Sequence, residues 1–266
     1  MKNSALLLCF IFIYGLNLYS QDISSKPPEN RTWFLHLESG YIYPEGSIRE
    51  SIAIRQNISS YYVNQDTDGH ISSETYGFTL GLRWEYFNPR FKTGISTGLR
   101  YTGYRSEISG YSSSISDFFY MRYSMQDGET RFARVRSIDE TNNFLSIPLE
   151  LRLVPLQYKR AGFFVKAGAE ISFLNFEKGT DIDFQEGGME AHQDIVLNSI
   201  GMTTNKVYST VYGSVGLKLG QENKPNYSFE VFIPSLFLTG DNFTLTDVDH
   251  FTGFRISIQF PLKKQN

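Results

Sequence analysis

Few side chains in this 266-residue chain have the types and spacing that chemistry requires. Asp66-Thr67-Asp68-Gly69-His70 opens like a calcium loop, with alternate carboxylates before a glycine. The remaining oxygen ligands are missing at the required spacing, so a polar loop tip is expected there. Asp249-His250 pairs an acid with an imidazole, the couple that proton transfer uses. Adjacent residues of a strand point to opposite faces, which separates the two. His36 and His192 have no ligand-spaced partner and read as structural. No catalytic residue, metal ligand set or cofactor motif is expected, and the chain reads as non-enzymatic.

Two charged tracts remain. Arg122, Arg131, Arg134 and Arg136 form a candidate loop patch for phosphate or a partner, because guanidinium groups bind oxyanions in bidentate fashion. Lipid A or an envelope protein is the ligand class this implies. Local pairing with Asp117, Asp127 and Glu129 is the plainer reading. Glu177, Asp181, Asp183, Glu186, Glu190 and Asp194 form an acidic tract, either a solvated loop or a place where divalent cations bridge to lipopolysaccharide. The formal net charge of −3 gives no reason to expect nucleic acid.

The elements that hold these residues are legible as strands. In Glu74–Phe87 the residues Tyr76, Phe78, Leu80, Leu82, Trp84 and Tyr86 share one parity, and Gly77, Thr79, Gly81, Arg83 and Glu85 share the other. That is a period of two, hence a strand with one apolar and one polar face. The pattern recurs in Arg31–Pro44, Phe91–Arg105, Phe144–Pro155, Phe163–Phe176, Val207–Leu219, Tyr227–Ile233 and Phe254–Leu262. Most segments reach the ~9–11 residues that cross a bilayer as a tilted strand.

Short links (Asn88-Pro89-Arg90, Leu156 to Ala161, Gly220 to Asn226) alternate with long polar ones: Glu45 to Ser73, Ser106 to Asn143, Glu177 to Lys206 and Asp241 to His250. This predicts an all-β fold, an eight-stranded antiparallel up-and-down transmembrane barrel with short periplasmic turns and long extracellular loops. A hairpin around Asp127-Gly128, from Asp117–Ser124 and Thr130–Ile138, either extends above the membrane or makes the strands ten.

The polar parity collects Glu38, Arg83, Glu85, Arg100, Glu150, Arg152, Lys166, Glu170, Lys218, Glu230 and Arg255, together with many glycines. Opposite charges and small residues suit a narrow lumen, so a structural charge network is expected inside. No Lys or Arg falls at the centre of an apolar face, where each would cost ~2–4 kcal/mol in lipid. Trp33, Tyr41, Tyr43, Tyr76, Trp84 and Tyr86 sit where interfacial girdles belong. A soluble periplasmic ligand-binding barrel with the apolar face inward is the alternative. Phe164, Leu174, Phe176, Tyr208 and Tyr212 break the pattern on the lumen parity, as plug residues or as strand ends above the membrane.

Residues 1–20 read as a secretory signal: Lys2, the apolar run Ala5–Tyr14, and a cut between Ser20 and Gln21. Residues 21–30 form a short segment and 31–266 the barrel domain, placed in the outer membrane. Cys9, the single cysteine, falls in the signal, so no disulfide is expected. Mean hydropathy is −0.28 and aromatics make up 15%, as suits strands of which every second residue faces lipid.

Asn143-Phe144-Leu145-Ser146-Ile147-Pro148-Leu149-Glu150-Leu151-Arg152 resembles the "ipl" strand of outer-membrane β-barrel domain proteins of the Bacteroidota, the PorT-like or "porin family" group. Gly162 to Phe176 resembles that group's next strand, and Gly253 to Phe260 its terminal strand. The chain departs from the enterobacterial rule in ending Lys263-Lys264-Gln265-Asn266 and not on Phe. The resemblance implies an outer-membrane address among lipid and lipopolysaccharide and supplies no catalytic motif. Three roles fit: an interaction barrel with large loops, a narrow pore, or a rim-site enzyme acting on lipid or peptide.

Overall fold

The structure, a computed structural model, describes residues 32–48, 54–55, 70–111, 118–125, 128–158, 160–174, 179–200, 205–220, 224–240 and 243–262. The expected signal, its cut, residues 66–69, Asp117, Asp127, Phe176 and Glu177 lie outside them. The strands are β1 (Thr32–Ile48), β2 (Ile54–Arg55), β3 (His70–Asn88), β4 (Thr93–Tyr111), β5 (Phe119–Ser124), β6 (Thr130–Tyr158), β7 (Ala161–Leu174), β8 (Gly179–Phe184), β9 (Val207–Leu219), β10 (Asn226–Phe237) and β11 (Thr246–Leu262). One helix, α1 (Gln193–Ile200), follows a 3₁₀ turn at Met189–His192.

Eight strands close a ring in the order β1, β3, β4, β6, β7, β9, β10, β11, each antiparallel to its neighbours. The last pairs with the first from Trp33↔Leu262 to Ile48↔Thr246. Closure leaves no free edge in the wall, so every backbone amide there can be satisfied without water. Among the described residues the wall's register shifts at Glu45/Gly46, between Leu153 and Leu156, and beside Pro234, which has no N–H to give the ladder.

The apolar parity faces out. Leu37, Leu82 and Leu99 lie side by side in register on three strands, at mid-height. Tyr41 and Phe78 mark one end of this belt, with ring centroids 5.4 Å apart, and Trp33 and Tyr86 the other, 5.1 Å apart. The charged parity faces in and is buried. An apolar exterior between aromatic rings over a charged interior is the distribution of a barrel that spans a bilayer.

The hairpin does not widen the ring. β4 and β5 both pair with β6, one above the other, so the hairpin continues the wall upward at the long-loop end. β6 accordingly runs unbroken for 29 residues. β8 pairs with its upper half, and β2 with the far edge of β5. α1 packs against this small sheet, and Val196 joins Met121, Ala133, Val135, Ile138, Ile182, Phe184 and Leu245 in a buried core. The acidic tract from Glu177 to Lys206, read above as a loop, is thus partly a strand and a helix. The result is a folded lobe standing on the barrel.

Candidate functional site

The lumen is the first candidate, and it is filled in layers. At the short-turn end Phe34, Phe87, Val154 and Phe164 pack together. Lys218 lies 5.2 Å over the Phe34 ring, and the Arg152 guanidinium 5.2 Å over Phe87. Phe164 therefore belongs inside the barrel as a plug residue, as do Tyr208 and Tyr212 at the next apolar level. The side chain of Leu174 is not among the described ones.

Between these apolar levels lie the charges. Glu150, on β6, is the hub: it takes Arg100 at 2.9 Å, Arg255 at 3.0 Å, Lys166 at 3.3 Å and the Tyr212 hydroxyl at 2.6 Å, and also pairs with Arg83. Glu38 meets Arg100 at 2.7 Å, Arg83 at 3.4 Å and Arg255 at 3.6 Å. Glu230 holds Arg255 at 2.9 Å and pairs with Lys166, while Glu170 pairs with Arg100. Glu85 pairs with Arg152 at 2.8 Å and accepts from His36 Nε2 at 2.7 Å, and His36 Nδ1 accepts from Arg83 at 3.1 Å.

Glycines make this crowding possible. A Cβ at Gly81 would stand 2.6 Å from a Glu38 carboxylate oxygen, and one at Gly168 would stand 2.6 Å from the Tyr212 ring. Desolvating so many ions is costly, and only mutual pairing with full hydrogen bonding offsets it. The network therefore specifies how the interior packs more than it adds stability.

Above the charges comes a second apolar level of Ile42, Tyr104, Phe144, Tyr208, Tyr212, Phe232, Phe243, Val248 and Phe251. A cavity between the two, bordered by Thr79, Arg100, Thr102, Glu170 and Thr210, holds about 20 Å³, room for a water or two. The link between β10 and β11 then folds inward as a strap, burying Phe243, Thr244 and Leu245. Its latch is Glu140, whose carboxylate accepts the backbone N–H of Thr244 at 2.9 Å and of Leu245 at 3.0 Å. The sequence placed His36 and Tyr212 on the lumen parity but did not show their part in the charge network, and Glu140 fell in a stretch read as a loop.

The arginine tract lies on the lobe. Arg122, Arg134 and Arg136 are exposed on its outer face with Phe118, Tyr120 and Phe132, and the Arg134 guanidinium lies 5.3 Å over Phe118. Arg131 follows the opposite parity and pairs with Glu129 at 2.9 Å near the hairpin tip. Arg134 meets Glu186 at 3.4 Å and Arg136 meets Asp183 at 4.0 Å, both at the surface. Part of the acidic tract thus neutralises part of the basic one. Below them, Glu74, Glu107, Asp139 and Asp181 stand opposite one another on four adjacent strands, with Arg105 bonded to Asp139 at 2.9 Å.

His250 bonds Glu45 at 3.0 Å across the exposed rim, and Asp249 points elsewhere along the strand. His192 ends the 3₁₀ turn. Among the described residues no three His, Cys, Asp or Glu side chains converge on a point that could hold a metal ion.

No protein family and no curated protein matches the chain. Among solved structures it is similar to the outer membrane protein OprG of Pseudomonas aeruginosa, at 14% identity and TM-score 0.41, over 90% of this chain and 99% of that one. It is also similar to Ail, the attachment invasion locus protein of Yersinia pestis, at 7% identity and TM-score 0.36, over 87% and 99%. A third is the translocator domain of the autotransporter NalP from Neisseria meningitidis, at 8% identity and TM-score 0.35, over 97% of each chain. The closed sheet and the apolar belt establish the architecture independently of these likenesses.

Proposed function

We propose that this chain is a non-enzymatic outer-membrane barrel of the Bacteroidota PorT-like or "porin family" kind, exported with removal of residues 1–20. The barrel serves as a closed anchor, and the lobe carries the interactions. The observation behind this reading is the filled lumen: two apolar levels, a charge network and the strap of Phe243 to Leu245 block the axis in succession. So filled an axis supports a closed anchor over a pore.

The lobe has its own core, so it is a rigid display and not a set of loose loops. Its outer face combines guanidinium groups with aromatic rings, the composition that protein contact surfaces favour. Arg122, Arg134 and Arg136 with Phe118, Tyr120 and Phe132 form that surface, and an envelope protein or the surrounding lipopolysaccharide is the partner.

Two measurements on the purified protein test this. A mobility difference between boiled and unboiled samples on a denaturing gel is expected from a folded membrane barrel. Planar-bilayer recordings of that form should then show no unit conductance steps. Reproducible steps would return the protein to the pore class.

A further inference from the structure

We infer that the short-turn rim is a binding surface for anionic phospholipid headgroups, a reading that rests on the membrane barrel proposed above. The rim is held by three turns, whose described residues include Arg90, Lys92, Arg160 and Lys224; over their full length the sequence gives them five cations, with Lys159, against one carboxylate, Glu222. The long-loop end is built differently. There the level just above the belt carries the row of four carboxylates, and Arg105, Arg134 and Arg136 face acidic partners.

The cations are spread around the ring. The turns join β3 to β4, β6 to β7 and β9 to β10, which places them at three of the four quadrants of the eight-stranded circle. The fourth quadrant holds the two ends of the wall, β1 and β11. A peptide ligand would call for cations gathered on one side. A lipid annulus touches every quadrant at once.

Position supports the same partner. Phe91 in the first turn and Leu156 and Tyr158 at the end of β6 are 65%, 67% and 72% exposed, which continues the apolar belt to the rim. Lys and Arg next to such residues keep their stems in the hydrocarbon boundary and their charges at headgroup level. Backbone bonds fix the turns: Lys92 O accepts from Val154 N at 2.9 Å, and Arg160 O from Gly220 N at 2.8 Å. The charges are therefore presented in place, and each is favoured near an anionic surface by about 1 kcal/mol, or about fivefold.

The test inserts the full chain into phosphatidylcholine vesicles and into equimolar phosphatidylcholine/phosphatidylglycerol vesicles, then follows urea unfolding by gel mobility at low ionic strength. Unfolding should be slower in the anionic vesicles by about fivefold or more, and high salt should erase the difference. The triple variant Arg90→Gln/Arg160→Gln/Lys224→Gln should lose most of it, whereas Lys206→Gln, at the opposite end, should keep it. Equal rates for the wild type in both vesicles, or a triple variant that keeps the full difference, would overturn the headgroup assignment while leaving the barrel intact. Equal slowing by soluble polyglutamate in neutral vesicles would also overturn it, in favour of an acidic peptide. Absence of the heat-dependent mobility shift in either vesicle would instead overturn the membrane reading underneath.

Discussion

Strand β6 obeys two opposite rules along its length. In the barrel Leu145, Ile147, Leu149 and Leu151 face out, and Ser146, Glu150 and Arg152 face in. In the lobe Phe132, Arg134 and Arg136 face out, and Ala133, Val135 and Ile138 are buried. The exchange falls at the register shift between Val135 and Ser137, where one extra residue swaps the parity. The lesson is that the surroundings change from hydrocarbon to water part-way up one strand. The charged side is turned inward where lipid surrounds it and outward where water does.

The largest effect that would expose this difference is expected at the charged residues themselves. Glu150→Ala removes a carboxylate shared by Arg83, Arg100, Lys166 and Arg255 and leaves those cations buried. Breaking a buried cluster by removing one partner costs about 3–5 kcal/mol. Asp183→Ala breaks the Arg136 pair on the lobe surface, where an exposed pair contributes about 0–1 kcal/mol. Urea unfolding of the two variants in lipid should separate them clearly. Similar midpoints would mean that water reaches the lumen charges.

A smaller effect is expected from placing the same side chain on the outer face at two heights. Leu99→Arg puts a cation at the middle of the belt, at a cost of about 2–4 kcal/mol. Phe132→Arg puts one on the lobe exterior, where surface substitutions stay within about 0.5 kcal/mol. The yield of heat-modifiable barrel on insertion into vesicles should fall for the first and hold for the second. If both insert equally well, the belt is not in hydrocarbon.

The same contrast decides what the sequence disclosed. Eight barrel strands were visible because lipid demands an apolar residue at every second position, which is a signal that survives in a short window. The upper half of β6 was read as part of a loop at Asp139 to Asn143, since outward residues there meet water or headgroups and lose the apolar alternation. The helix α1 was hidden because an eight-residue helix depends on its packing and not on its own propensity. Among its described side chains Val196 alone is fully buried, too little for a helical period. Glu140 was hidden for a different reason: its partners are backbone amides about a hundred residues away, which no side-chain pattern records. Parity grouped the charged lumen residues but could not say that Glu150 is the hub, since pairing across a closed ring depends on shear and rotamer.

The smallest effect lies where the two regions meet. Glu74, Glu107, Asp139 and Asp181 are opposite one another in register at the base of the lobe, above the lipid belt and outside the buried core. Like charges directly opposite on neighbouring strands oppose pairing by roughly 0.2–1 kcal/mol. Arg105 relieves Asp139, at 2.9 Å, so among the described residues the uncompensated repulsion centres on Glu107 and its neighbour Glu74. Glu107→Gln should therefore raise stability slightly, by a few tenths of a kcal/mol, and more at low ionic strength than at high. Urea midpoints at two salt concentrations measure this. A loss of stability would show that the carboxylate makes a favourable contact at the lobe–barrel junction, and would place that junction among the charge-dependent parts of the fold alongside the lumen.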